Sequence, residues 1–213
     1  MRLQLAIFAK QPLLGRVKTR LIPALGEAGA LAAHKGLLQH VASQAEAWLA
    51  HDPSSRSIVL WGTPESDDPF FHQLLPEATL STQQGEDLGE RLYHGLCRGL
   101  ARSDGVILLG GDGGSVTTAL LESASQALHD HPAALCPTED GGYIALALRQ
   151  ALPELFQAMP WGGEAVAQET RKRLQQQGLA WWESPLQWDV DEPADWHRFQ
   201  AAQAGQGAAN FHH

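Results

Sequence analysis

The chain has 213 residues, with 15 Lys and Arg against 24 Asp and Glu for a formal net charge of −9, and it carries no basic run or stripe. That balance excludes general nucleic-acid binding, which depends on clustered cations and counterion release. A content of 44% hydrophobic and 18% charged residues excludes a disordered chain. No stretch approaches the ~18 apolar residues of a membrane helix, and the apolar run before Lys10 and Pro12 is too short for a signal peptide, so a soluble, cytoplasmic protein is expected.

Leu3 to Phe8 is a short apolar run and reads as a buried strand. It feeds AKQPLLGRVKTRLIPALG (9–26), whose prolines and glycines predict a long loop rather than a helix. From Glu27 to Ala50, Leu31, Leu37, Leu38, Val41, Ala45, Trp48 and Leu49 fall on one helical face. Ser57 to Trp61 is a second buried strand, closed by Gly62-Thr-Pro64, and a helix from about Asp87 carries Leu88, Leu92, Leu96 and Leu100 four apart. Gly105 to Leu109 gives a third strand, ending at Gly110-Gly-Asp-Gly-Gly114, before a helix from about Thr117 to Leu128 capped by Thr117 or Thr118. Ala133 to Cys136 and Tyr143 to Leu148 read as strands, and Val166, Thr170 and Leu174 mark a further helix. The two cysteines, Cys97 and Cys136, lie in apolar surroundings and read as core rather than as a disulfide or zinc site.

Strands that are apolar throughout and alternate with amphipathic helices predict a three-layer α/β domain with a largely parallel sheet. The expected domain is residues 1–200, with the small polar stretch 201–213 as a frayed tail. In such sheets ligands bind beyond the carboxyl ends of the strands, so the loops there carry the candidate chemistry. The first clusters Lys10, Arg16, Lys18 and Arg20 around Gly15, as a phosphate site requires, although a solvated basic loop has the same appearance. The second holds Asp112 alone among glycines, either a Mg²⁺ carboxylate or a tight turn. The third, Trp188-Asp-Val-Asp191-Glu-Pro193, offers Asp189 and Asp191, either of which could complete an oxygen-only metal site with Asp112; Asp191 could equally cap the following helix.

AKQPLLGRVKTRLIPALG at 9–26, QQGEDLGERL at 83–92, LLGGDGGSVTTALLESA at 108–124, PTEDGGYIALAL at 137–148, MPWGGEAVAQET at 159–170 and DVDEPAD at 189–195 occur in an order that resembles the DUF2064, or guanylyltransferase-like glycosyltransferase, family. That family lies within the GT-A nucleotide-diphospho-sugar transferase superfamily, and the resemblance spans nearly the whole chain. It implies a GT-A fold with a mostly parallel Rossmann-like sheet. It also implies nucleotide contacts at Ala9, Lys10, Gly15, Lys18 and Arg20, with base contacts at Gln84, Gly85 and Asp87. Asp112 and Asp191 would be the metal aspartates, holding Mg²⁺ or Mn²⁺, and Asp189 stands beside them. Sugar or acceptor groups would meet Glu139, Asp140, Gly141, Gly142 and Tyr143. Where the family usually reads G-S-D-C/S-P, this chain reads Gly110-Gly-Asp-Gly-Gly114, which predicts a more flexible loop and an altered substrate preference or weakened activity.

Two reactions fit these residues. In glycosyl transfer from a nucleotide-diphospho-sugar, a divalent ion neutralises the departing nucleoside diphosphate, and Glu139 or Asp140 is the candidate base toward a small-molecule acceptor. In nucleotidyl transfer, Lys18 and Arg20 hold a triphosphate and no base is required. A non-catalytic nucleotide-binding regulator is the remaining alternative, resting only on the glycine-rich departure. Trp161, Trp181, Trp182, Trp188 and Trp196 lie in the C-terminal third, where core or homodimer packing is their ordinary use; Trp161, between Pro160 and two glycines, is the candidate lid contact.

Overall fold

The computed structural model describes residues 1–209. Seven strands form one sheet: β1 (Leu3–Lys10), β2 (Arg56–Thr63), β3 (Thr79–Thr82), β4 (Gly105–Gly110), β5 (Ala133–Pro137), β6 (Tyr143–Leu148) and β7 (Trp181–Glu183). Their order is β3-β2-β1-β4-β6-β5-β7. Every neighbouring pair is parallel except those made by β6, which runs against both β4 and β5. The carboxyl ends of β1, β4 and β5 therefore share one edge of the sheet with the start of β6.

Strand alternation divides the core into two layers of side chains. Leu3, Leu5, Ile7 and Ala9 of β1, with Ile107 and Leu109 of β4, pack on α1 (Ile22–His51), α2 (Pro69–Leu74) and α4 (Thr118–Asp130). Ala6 and Phe8, with Val106 and Leu108, face the other way toward α3 (Leu88–Leu100) and α5 (Val166–Gln176). Both faces of the sheet are thus covered, which accounts for strands without polar alternation. Each buried Leu, Ile, Val or Phe contributes roughly 1.5–3 kcal/mol against the entropy of ordering the chain. The fully buried Trp48 ties α1 to α4 by donating from Nε1 to Ser125 Oγ at 2.8 Å.

The loop expected over 9–26 is shorter than its prolines and glycines indicate. A 3-10 turn covers Thr19–Leu21 and α1 begins at Ile22, with Pro23 in its first turn, where the missing N–H has no intrahelical partner in any case. Gly26, at φ 70 and ψ 170, interrupts the helix, and the long amphipathic part follows it. Thr117 caps α4 through a bond from Leu120 N to its hydroxyl. At the other end, α6 (Pro193–Ala209) continues through much of the stretch expected to fray; residues 210–213 lie outside the described part. Trp196 and Phe199 of α6 pack toward Leu37 of α1 and Val190, which fixes the segment just before α6 against the body of the domain. Among the described residues, no helix is long and apolar enough to cross a membrane.

Candidate functional site

A cleft of about 690 Å³ opens at the carboxyl edge of the sheet, lined by residues from the ends of β1 and β4, the β5–β6 turn and the segment before α6. Its charged centre is Lys18. The side chain is 6% exposed, and its Nζ donates to Asp112 Oδ2 and to Asp191 Oδ1, each at 3.0 Å. Arg20 approaches from the solvent side, 3.6 Å from Asp191 Oδ2 and from Glu192 Oε1.

Main-chain bonds bring the two aspartates together from distant parts of the chain. Asp112 follows β4, and its carbonyl accepts from Val190 N at 3.3 Å. Ser115 N and Oγ both donate to the Trp188 carbonyl, while Trp188 N donates back to Ser115 Oγ at 2.9 Å. Segment 188–190 thus lies alongside 112–115. The helix-capping role that Asp191 could have played falls instead to Asp195, whose Oδ2 accepts from the backbone N–H groups of Asp191 and Glu192. The Asp191 carboxylate is left for Lys18.

The glycines around Asp112 close-pack the turn rather than loosen it, contrary to the flexibility expected from the sequence. A methyl group at Gly113 would run into Ile144, and one at Gly114 into the Trp188 ring. The absent side chains are what allow Trp188 to lie over the aspartate turn.

Electrostatics follow from this crowding. Burial lowers the affinity of the Lys18 ammonium for its proton, but Asp112 and Asp191 outweigh that effect and hold its pKa above the usual lysine value. Lys18 in turn keeps the Asp112 carboxyl below the ordinary carboxylate range. Asp189 is pushed up to about 6, first by burial and then by the charges of Asp112, Asp140 and Asp191. The site has more negative charge than Lys18 alone neutralises. His34, whose Nε2 donates to the Lys10 carbonyl at 2.8 Å, has its pKa lowered by burial.

Among the residues expected from the sequence, Ala9, Lys10, Lys18, Arg20, Asp112, Asp140, Gly142, Tyr143, Asp189 and Asp191 line this cleft, as does Trp161. The others do not. Gly15, at φ 73, shapes the turn beside Glu27. Asp87 caps α3 by accepting from Glu90 N, and the base segment meets the cleft through Gln83 rather than Gln84 or Gly85. Glu139 forms a two-pronged pair with Arg198, at 2.8 and 3.1 Å, and lies outside the cleft together with Gly141. Of the two acidic residues considered as a base, Asp140 is the one at the site. Sequence reasoning missed His34, Gln83, Arg91 and Thr138. Arg91 follows Asp87 by one helical turn, a spacing that could have flagged it, whereas His34 is hidden among the apolar positions of α1.

Residues 44–163 match the family described as "Uncharacterized protein conserved in bacteria (DUF2064)". The chain belongs to the DUF2064 family. No curated protein matches it. Among solved structures, this DUF2064 chain is similar to a candidate nucleotide-diphospho-sugar transferase from Desulfovibrio desulfuricans G20, at 28% identity and TM-score 0.81, over 90% of this chain and 84% of that one. It is also similar in fold to a CMP:2-keto-3-deoxy-manno-octonic acid synthetase complexed with CTP, at 15% identity and TM-score 0.58, over 97% of this chain and 100% of that one. Rv0371c from Mycobacterium tuberculosis H37Rv, in complex with manganese, aligns at 17% identity and TM-score 0.53, over 93% of this chain and 98% of that one. The fold is that of the GT-A nucleotide-diphospho-sugar transferases, with a mostly parallel seven-stranded sheet between helices.

Proposed function

We propose that this DUF2064 protein is a metal-dependent transferase that uses a nucleotide-activated donor, specifically a glycosyltransferase acting on a nucleotide-diphospho-sugar. The observation that carries this reading is the convergence of Asp112 and Asp191 on one cationic nitrogen, in a cleft at the carboxyl edge of a parallel sheet. The donor set fits Mg²⁺ or Mn²⁺: its ligands are hard carboxylate oxygens, with Asp189 and Asp140 adding further acidic groups to the same cleft. Among the described residues, no group of three or more His, Cys, Asp or Glu side chains forms a complete cage. Phosphate oxygens and water would supply the remaining ligands, as is usual for Mg²⁺ bound with a nucleotide. The likeness to the Desulfovibrio protein supports a nucleotide-sugar donor, and the similarly folded proteins solved with CTP and with manganese lend support to a nucleotide and a divalent ion as ligands.

In this reading Lys18 and Arg20 bind the donor's phosphates. Asp112 and Asp191 hold the ion, which when bound offsets the charge of the departing diphosphate. Asp140 stands where it can take the proton of an acceptor hydroxyl; its Oδ1 accepts from Gly142 N at 3.1 Å, which orients the carboxylate. Tyr143 and Trp161 face the acceptor end. A second reading, nucleotidyl transfer to a phosphorylated small molecule, is favoured by the number of cations at the cleft, where Lys10 and Arg91 join Lys18 and Arg20.

A thermal-shift panel of nucleoside diphosphates, triphosphates and nucleotide sugars, with and without Mn²⁺, tests the proposal. A ligand that binds only the folded chain at a hundred times its Kd stabilises it by about 2.7 kcal/mol. Stabilisation by a nucleotide sugar that depends on Mn²⁺ is the expected result. A preference for triphosphates transfers the assignment to nucleotidyl transfer, and no stabilisation by any nucleotide removes both.

A further inference from the structure

Lys18 occupies the space that the metal reading requires. Its backbone is left-handed, at φ 44 and ψ 46, a conformation that side chains disfavour, and it is held there by a bond from Leu21 N to its carbonyl at 2.9 Å and by the buried Val17 beside it. This backbone aims the side chain inward between Asp112 and Asp191 rather than out to solvent. The ammonium reaches one oxygen of each carboxylate at the same 3.0 Å. Arg20 carries the same charge nearby, but its side chain is 66% exposed and, among the described residues, its ion pairs are with Asp191 and Glu192.

A divalent ion bonded to oxygens of both carboxylates would lie about 2.0–2.6 Å from each, and hence against the ammonium, which is positively charged and as closely placed. The two cations cannot share the position. We infer that Lys18 and the divalent ion are alternative occupants of one carboxylate pair: the ammonium fills it in the ligand-free chain, and the ion enters once an incoming phosphate draws the ammonium away. This inference rests on the proposed function for the identity of that phosphate, but its central claim concerns the metal alone. Metal binds weakly without nucleotide because Lys18 competes for the aspartates, and not only because two carboxylates are few ligands. Nucleotide then acts as the key to the metal site, and by reciprocity the metal tightens the nucleotide.

The test uses Mn²⁺ alone, without nucleotide, titrated into wild type, Lys18→Met and Arg20→Met and followed by the loss of free-ion signal in electron paramagnetic resonance. Lys18→Met should bind Mn²⁺ at least about tenfold more tightly than wild type, and Arg20→Met should gain less than about threefold, since it removes the same charge from the field without clearing the position. Equal gains in the two variants, or no gain in Lys18→Met, would overturn the inference. Lys18→Met/Asp112→Asn should lose the gain; its persistence would place the ion elsewhere and equally overturn the claim. Should Lys18→Met prove less stable, its thermal midpoint must rise with Mn²⁺ by more than that of wild type. A tighter Mn²⁺ site in a chain that binds no nucleotide would sustain this inference and refute the proposed function. Nucleotide binding without the Mn²⁺ gain would do the reverse.

Discussion

The two halves of the cleft are built differently. In the half formed by the ends of β1 and β4 and by segment 188–191, Lys18, Asp112, Asp191 and Arg20 are already engaged with one another and backbone bonds cross-link the loops that carry them. In the half formed by the β5–β6 turn and residues 159–164, the Tyr143 hydroxyl and Trp161 Nε1 are buried without a partner among the described residues, and the two rings meet edge to face with centroids 6.3 Å apart. Gly162, at φ 78, has open space among the described residues where a β-carbon would stand. A buried donor left unpaired costs about 1–3 kcal/mol, which a bound hydroxyl or carbonyl relieves. The groups of the charged half are therefore paired with one another, whereas two polar atoms of the aromatic half are not. Under the proposed function, phosphate binding would fall to the first half and the choice of acceptor to the second.

The sharpest way to break this contrast is at Asp112. Asp112→Asn keeps the shape and removes the charge, so it should abolish the Mn²⁺-dependent gain in nucleotide affinity, a coupling typically of about 1–3 kcal/mol, while metal-free binding is not weakened. Asp191→Asn should behave alike and Asp189→Asn should do less, as measured by calorimetry with and without the ion. Lys18→Ala should weaken nucleotide binding about tenfold or more through the lost charge-assisted phosphate contact, with the fold retained by circular dichroism. Wild-type affinity in that variant would remove the basic loop from the site.

Gly114→Ala probes the scaffold of the charged half. Its methyl group meets the Trp188 ring, so urea unfolding should show a loss of about 1–3 kcal/mol. A neutral result would mean that segment 188–190 yields easily and does not fix Asp191. In the charged half His34 makes the fold acid-sensitive, while Asp189, pushed up to about 6, opposes it because the folded chain takes up that proton first. Burial lowers the folded pKa of His34, so the unfolded chain takes up the proton first as pH falls. The stability this provides is complete above the unfolded value of 6.5 and is lost as pH drops through the lower folded value. His34→Gln should flatten the urea midpoint between pH 7.5 and 5 relative to wild type, with His40, shifted in the same direction, accounting for part of the remaining slope. Tyr143→Phe should have the smallest effect on folding, within about 0.5 kcal/mol or slightly stabilising, because its hydroxyl has no partner to lose. A clear destabilisation would show that the aromatic half is as self-satisfied as the charged one.

Central strands and long helices were legible because burial on both faces imposes unbroken apolar runs and a single helical stripe. β3 reads Thr-Leu-Ser-Thr and β7 is three residues long; both are edge strands paired on one side only, so neither carries such a run. α2 is six residues long, too short for a period to show. At the site, strand-end position and family resemblance pointed to Lys18, Asp112 and Asp191. Which of two adjacent residues faces the cleft was not legible at Glu139 and Asp140, nor at Gln83 and Gln84, because the choice depends on turn geometry and on the distant Arg198. The capping of α6 by Asp195 rather than Asp191 likewise depends on a loop course that no local pattern reveals.

The alignment of 112–115 with 188–190 is made by peptide groups and one serine hydroxyl rather than by the motif side chains themselves. Any residue that fits the space supplies the same peptide groups. The separation of the two aspartates is thus set by the backbone, and the glycines at 113 and 114 serve it by leaving room for Ile144 and the Trp188 ring. A side chain at 114 would therefore act on the cleft at a distance, by displacing segment 188–190 and with it Asp191, without touching either carboxylate.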